Sequence, residues 1–170
     1  MIRLLGAVLL TGGSAALGFS AVRHLDGRVH DLRELVAGLE VMERELQWKM
    51  TPLPELLLRA AEETDGQPSH FFDLSGRGAE HLNGRSFSKV WHQAAEACQM
   101  RLETADLCLL EQLGGVLGRY DAESQKQALA ASVSRLEEQR VQAEEQRARL
   151  GKVYGMLGVT AGVFLMILLI

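Results

Sequence analysis

The sequence predicts an all-α fold, a membrane-tethered six-helix bundle flanked by an N-terminal and a C-terminal transmembrane helix. Three observations carry this. Ala, Leu, Glu, Gln and Arg, all good helix formers, dominate the middle of a 170-residue chain with 5% aromatics and three prolines. Apolar residues there recur at spacings of three and four, and alternating Val/Ile/Thr runs of the strand type are nearly absent. Both ends of the chain are charge-free and apolar, whereas the middle holds nearly all the charge. The expected division is 1–23 as an N-terminal transmembrane helix, 24–152 as a cytoplasmic helical bundle and 153–170 as a C-terminal transmembrane helix.

Leu4 to Val22 contains no charged residue, and neither does Val153 to Ile170. At about 1.5 Å per residue each would span roughly 26–29 Å, close to the hydrocarbon thickness of a bilayer. The second is the more hydrophobic, because Gly12, Gly13 and Ser14 interrupt the first. Arg3, the apolar run and "GSAALG" also give the first segment the look of a secretory signal. Its length favours a retained span over a cleaved h-region. Arg23, Arg28 and Arg33 follow the first segment, and Arg147, Arg149 and Lys152 precede the second, against Arg3 alone outside. The positive-inside rule therefore puts the middle in the cytoplasm and both termini across the membrane.

The first bundle helix is expected from about Asp26 to Lys49. Leu25, Val29, Leu32, Val36, Leu39 and Leu46 set its stripe, which Leu35 and Met42 widen. It continues from the first span without an obvious break. Thr51 suits an N-cap and Pro52 a first helical position, where the missing N–H has no partner in any case. A second helix then covers about Pro52 to Thr64, with Glu55 near its positive end. The short joint makes Thr51, Pro52 and Leu53 a corner. Asp65, Gly66 and Pro68 read as a loop, and Ser69–His81 as a weak helix weakened by Gly76 and Gly78. Ser86 caps a helix from Phe87 to about Leu102, with Val90, Trp91, Ala94 and Cys98 inward. Thr104 caps the next, from Ala105 to Tyr120, with Leu113 and Leu117 inward. Gly114, Gly115 and Gly118 are unfavourable there at about 1 kcal/mol each relative to alanine, which points to a close helix crossing. Asp121 caps a long last helix from Ala122 to about Lys152, in which Leu129, Val133, Leu136, Ala143 and Leu150 keep a coiled-coil-like phase. Arg140 and Arg147 fall in the same phase and weaken the seam. This helix and the second span form one rod.

Chemistry is scarce. His24, His30, His70, His81 and His92 form no HxxxH or HExxH pattern, so no metal site is expected. No phosphate loop or nucleophile motif occurs, and no cofactor or small-molecule substrate is expected. Cys98 and Cys108 are expected to stay reduced in a cytoplasmic domain. Leaving out Arg3, 17 basic and 22 acidic residues give the rest of the chain a net charge of −5. Such a balance argues against nucleic acid and for a basic protein partner. Gly158 and Gly162 have the spacing of a membrane helix-association motif.

"MERELQWKMTPLPE", Trp91 in a short helix, "LEQLGGVLGRYDAESQ", "SRLEEQ" and the terminal apolar anchor together resemble the stage III sporulation protein AB family. The residues carrying the likeness are Glu43, Glu45, Leu46, Thr51, Pro52, Leu53, Glu55, Trp91, Gly114, Leu117, Gly118, Asp121, Gln125, Leu136 and Glu137. Pro54 and the additional Gly115 are local departures. The middle region is similar to the helical domain of the platform protein of type II secretion and type IV pilus systems. The resemblance implies a non-enzymatic platform subunit in the outer forespore membrane, its bundle in the mother-cell cytoplasm. It would dock a secretion-type ATPase and contact other membrane subunits of the complex. Glu43, Glu45, Glu55, Asp121 and Gln125 are the candidate partner-binding residues. The competing class is a two-span sensor or adaptor that recruits a cytosolic signalling partner.

Overall fold

The computed structural model describes the backbone of residues 2–48, 51–119 and 121–169. Side chains are described between 23 and 153 within those ranges, and at Ser20, Met156, Thr160 and Phe164. The described residues form six helices and no strand: α1 (Ile2–Trp48), α2 (Leu53–Glu62), α3 (Gly66–Glu80), α4 (Phe87–Ala97), α5 (Thr104–Val116) and α6 (Ala122–Leu169). The expected continuation of the first and last helices through the apolar ends is observed, since α1 and α6 are single helices of 47 and 48 residues. Among the described residues no helix is long and apolar enough to cross a membrane. The two stretches expected to span, and with them Gly158 and Gly162, lie largely or wholly outside the residues whose side chains are described.

The chain divides into two compact units. One comprises residues 1–29 and 142–170. In it the guanidinium of Arg28, 4% exposed, donates to Gln146 Oε1 at 3.1 Å, and Arg147 donates to the Asp26 carboxylate. The arginine that weakens the apolar seam of α6 is thus answered by an acid on α1. Val29 and Ala143 are buried in this unit.

The other unit is residues 30–141. The α1 stripe proposed from the sequence is its wall: Leu32, Leu35, Leu39 and Met42 are fully buried, and Leu46 nearly so. The short helices follow one another in contact, α2 on α3, α3 on α4 and α4 on α5. The centre is aromatic. Phe71 and Trp91 pack edge-on with ring centroids 4.5 Å apart, and Phe72 and Phe87 stand at 6.5 and 5.7 Å from Trp91. Trp91 Nε1 donates to the Leu110 carbonyl at 2.8 Å, which removes the cost of burying that N–H. Leu129 and Leu136 of α6 are fully buried.

Several boundaries differ from expectation. The N-cap of α2 is Pro52 (φ −59°, ψ 144°), whose carbonyl accepts from Leu56 N. Thr51 is buried and its hydroxyl donates to Glu45 Oε2 instead of capping. The stretch read as a loop at Gly66–Pro68 is the first turn of α3. Asp65 caps it by accepting from Gly66 N at 2.7 Å, and Pro68 falls where a missing N–H has no consequence. Gly76 and Gly78 do not weaken α3. They let it approach its neighbours: a Cβ at Gly78 would lie 2.3 Å from Val90 Cγ1 of α4. α4 and α5 stop at Ala97 and Val116, short of the expected Leu102 and Tyr120. Glu103, not Thr104, is the N-cap of α5, its N–H bonded to Asp106 Oδ2 at 2.9 Å. Gly118 lies outside any helix at φ +74°, a turn conformation that disfavours side chains.

Candidate functional site

The candidate residues fall into two places in the 30–141 unit. The first is the α1–α2 corner. Glu45 lies in the last turn of α1 with its side chain 13% exposed, and Glu55 in the first turn of α2. Both reach Arg59: its Nη1 stands 3.2 Å from Glu45 Oε2 and its Nη2 2.8 Å from Glu55 Oε1. The hydrogen bond to Glu55 and then the charge of Glu45 raise the Arg59 pKa. Arg59 was not singled out from the sequence. Its signal was an ordinary i, i+4 Glu–Arg spacing; only the fold adds the acid from α1. Glu43 is half-exposed and accepts from Gln47 Nε2, one turn on. A shallow recess at this corner is lined by Arg44, Glu45, Glu55, Arg59, Glu62 and Glu63, so four carboxylates ring two arginines. Trp48, at the end of α1, is 81% exposed.

The second place is the α5–α6 turn. Asp121 accepts from Ser124 Oγ at 2.7 Å and from Ser124 N at 3.3 Å, as expected of an N-cap. These two bonds, the hydroxyl first, lower its pKa. Gln125 Oε1 accepts from Gly118 N at 3.5 Å, closing the turn. Leu117 is buried. Asp121 and Gln125 therefore serve the turn with the same atoms that a partner would use. The capping contribution of Asp121 is present above the ordinary carboxylate range and is lost as pH falls through its lowered pKa. Hydrogen exchange should show the Ser124 amide protected at neutral pH and losing protection in acid. In Asp121→Ala it should be unprotected at both.

Leu53 of the corner and Gly118 of the turn meet: a Cβ at Gly118 would stand 3.3 Å from Leu53 Cδ2 and 3.2 Å from Phe87 Cβ. Beside this contact runs a groove of about 690 Å³ between the start of α2, the α3–α4 loop and the end of α5. Gly114 lies under it, against Trp91. So the fold joins Leu53, Leu117, Gly114 and Gly118 around one groove, with Trp91 beneath. Glu43, Glu45 and Glu55 lie at the acidic corner.

Two buried carboxylates went unnoticed in the sequence. Asp31, 4% exposed on α1, accepts from Arg101 N at 2.7 Å and so pins the α4–α5 loop to α1. Asp106 is fully buried in its cap. Asp31 could not have been found by spacing, because its partner lies 70 residues away. Cys98 is buried, which raises its thiol pKa, and Cys108 is exposed.

Comparison with known proteins is consistent across the length of the chain. The family model described as stage III sporulation protein AB matches residues 3–170. The stage III sporulation protein AB of Bacillus subtilis (strain 168) is 29% identical over 177 residues, covering 99% of each chain. A solved structure of a stage III sporulation protein AB superposes with a TM-score of 0.64 at 23% identity, covering 72% of this chain and 98% of that one, which supports the fold. With residues 3–170 matched, the chain belongs to the stage III sporulation protein AB family.

Proposed function

We propose that this protein is a non-enzymatic platform subunit of the sporulation complex between mother cell and forespore. In this reading the two apolar ends anchor it in the outer forespore membrane. The bundle faces the mother-cell cytoplasm, where it docks a secretion-type ATPase and contacts other membrane subunits. The observation that carries the docking role is the acidic corner. Glu45 is committed to Arg59 and Thr51 and makes the joint rigid. Glu55, Glu62 and Glu63 are exposed around it. A joint held by Arg59, with the exposed carboxylates of Glu62 and Glu63 beside it, suits a basic surface that pushes on the bundle. The basic residues inside both apolar ends support the orientation.

The test is binding of the secretion-type ATPase to the full-length protein in lipid nanodiscs. Reversal of the half-exposed Glu43 with the exposed Glu62 and Glu63, each to Lys, should weaken binding by ~10-fold or more and flatten its salt dependence, because these charges steer and hold the partner. The melting midpoint should stay near that of the unaltered protein, since exposed charges contribute little to folding. ATPase binding that is unchanged by the triple reversal removes the acidic corner as the docking surface. A second arm, protease accessibility in intact mother cells, should find the bundle on the cytoplasmic side.

A further inference from the structure

We propose that the groove at the meeting of α2, the α3–α4 loop and the end of α5 seats an acidic protein segment through a bulky apolar anchor. This goes beyond the acidic corner, whose carboxylates it adjoins but does not include, and it does not depend on which subunit binds there. Three observations carry it. The walls are apolar, with Leu53, Leu82, Phe87 and Leu117 among the lining residues. At about 690 Å³ the groove falls in the size range of sites that enclose a ligand, and it has room for more than one side chain. The charge at its edge is of one sign: Arg85 and Arg119 line it, both are exposed, and no lining residue is a carboxylate. In a protein of net charge −4 this is a local inversion, and it selects an acidic occupant.

Gly115 adds a fourth observation. A Cβ on Gly114 would collide with Trp91, so the fold itself requires that glycine. A Cβ on Gly115 would meet nothing within 4 Å. Glycine is a poor choice in a helix unless something must come close. Gly115 is half-buried, lines the groove and has no intramolecular neighbour to make room for. The space above it is therefore kept for something outside the chain. A phosphate or nucleic-acid ligand does not fit leucine and phenylalanine walls. An apolar side chain flanked by aspartate or glutamate fits both the walls and the arginines.

The experiment places a benzophenone amino acid at Ser88, an exposed lining residue, in the full chain expressed in sporulating cells, and maps photo-cross-links by mass spectrometry. The expected cross-link is to a protein segment of net negative charge containing a large apolar residue. Gly115→Trp, which fills the groove, and Arg85→Glu with Arg119→Glu, which reverse its edge, should each cut the cross-link yield ~10-fold or more, the size of losing one central contact. Gly115→Ala, which adds one methyl where the occupant comes close, should lower the yield less than Gly115→Trp does. If Gly115→Trp lowers the melting midpoint, the arginine pair carries the test, since those side chains lie at the surface. Cross-links to lipid, to a basic segment, or to no protein overturn the proposal, as does a cross-link that survives both changes. Failure of the ATPase to bind the unaltered protein would overturn the platform reading and leave this groove untouched.

Discussion

Trp91→Ala should cost about 3–5 kcal/mol of unfolding free energy, the largest loss from any single truncation in the bundle. The indole is 1% exposed and touches three of the other aromatic rings, on α3 and α4, so its removal leaves a cavity that α3, α4 and α5 all border. Helices joined in sequence by short loops cannot each shift to fill it, and the cavity cost adds to the lost transfer energy. Trp91→Phe separates the two contributions. It retains most of the ring area and removes the Nε1 bond to the Leu110 carbonyl, so about 1–2 kcal/mol is expected. Since domains of this kind are stable by only about 5–15 kcal/mol, the alanine variant should melt early and broadly. Urea unfolding followed by far-UV circular dichroism measures both. A loss below about 1 kcal/mol for Trp91→Ala would mean that the aromatic centre is not the packing hub described above.

The helical class and most of the elements were legible in the sequence because they depend on local patterns. The stripe Leu32, Leu35, Leu39, Met42 is a period of 3.6 written directly in the chain, and those residues are fully buried. Asp121 was readable as a cap because capping spans only three residues. The misread helix starts at Thr51 and Thr104 have different causes. Thr51 lost the cap because its hydroxyl turned back to Glu45 of the preceding helix. Thr104 lost it to a local capping box, in which Asp106 closes α5 back onto Glu103. Gly76 and Gly78 were counted against a helix because their intrinsic propensity is poor; the compensation, contact with Leu58 and Val90, comes from other elements. The candidate site was legible only in part. The order of residues along the chain marked Leu53, Trp91, Gly114 and Gly118, yet nothing local says that they surround one groove. Arg85 and Arg119 were invisible as a pair because 34 residues and two helices separate them.

The same point can be tested on the three glycines of "LGGVLG", which look equivalent in the sequence and are not. A Cβ at Gly114 would stand 2.2 Å from Trp91 Cδ1 and 2.7 Å from Cγ, where carbon atoms prefer roughly 3.5–4.0 Å. The ring would have to retreat by more than about 1 Å, and Phe71 and the Leu110 carbonyl hold it in place. Overpacking of this kind costs about 1–3 kcal/mol, more than the ~1 kcal/mol that alanine contributes by helix propensity. Gly114→Ala is therefore destabilising on balance, and Gly114→Leu should lose more than about 3 kcal/mol, because four atoms must enter the space denied to one. At Gly118 the cost has another origin. The backbone sits at φ +74°, so Gly118→Ala should lose about 1–2 kcal/mol even though its neighbours are 3.2–3.3 Å away and need move little. At Gly115 neither cost applies, and alanine should stabilise by about 0.4–1 kcal/mol. The expected order of melting midpoints is Gly115→Ala above the unaltered protein, then the alanine variants at 118 and 114, with Gly114→Leu lowest. Gly114→Ala melting at or above the unaltered protein would remove the close crossing of α4 and α5, and with it the physical reason for the first glycine. Gly115→Ala melting below it would mean that this glycine serves the fold and not the groove.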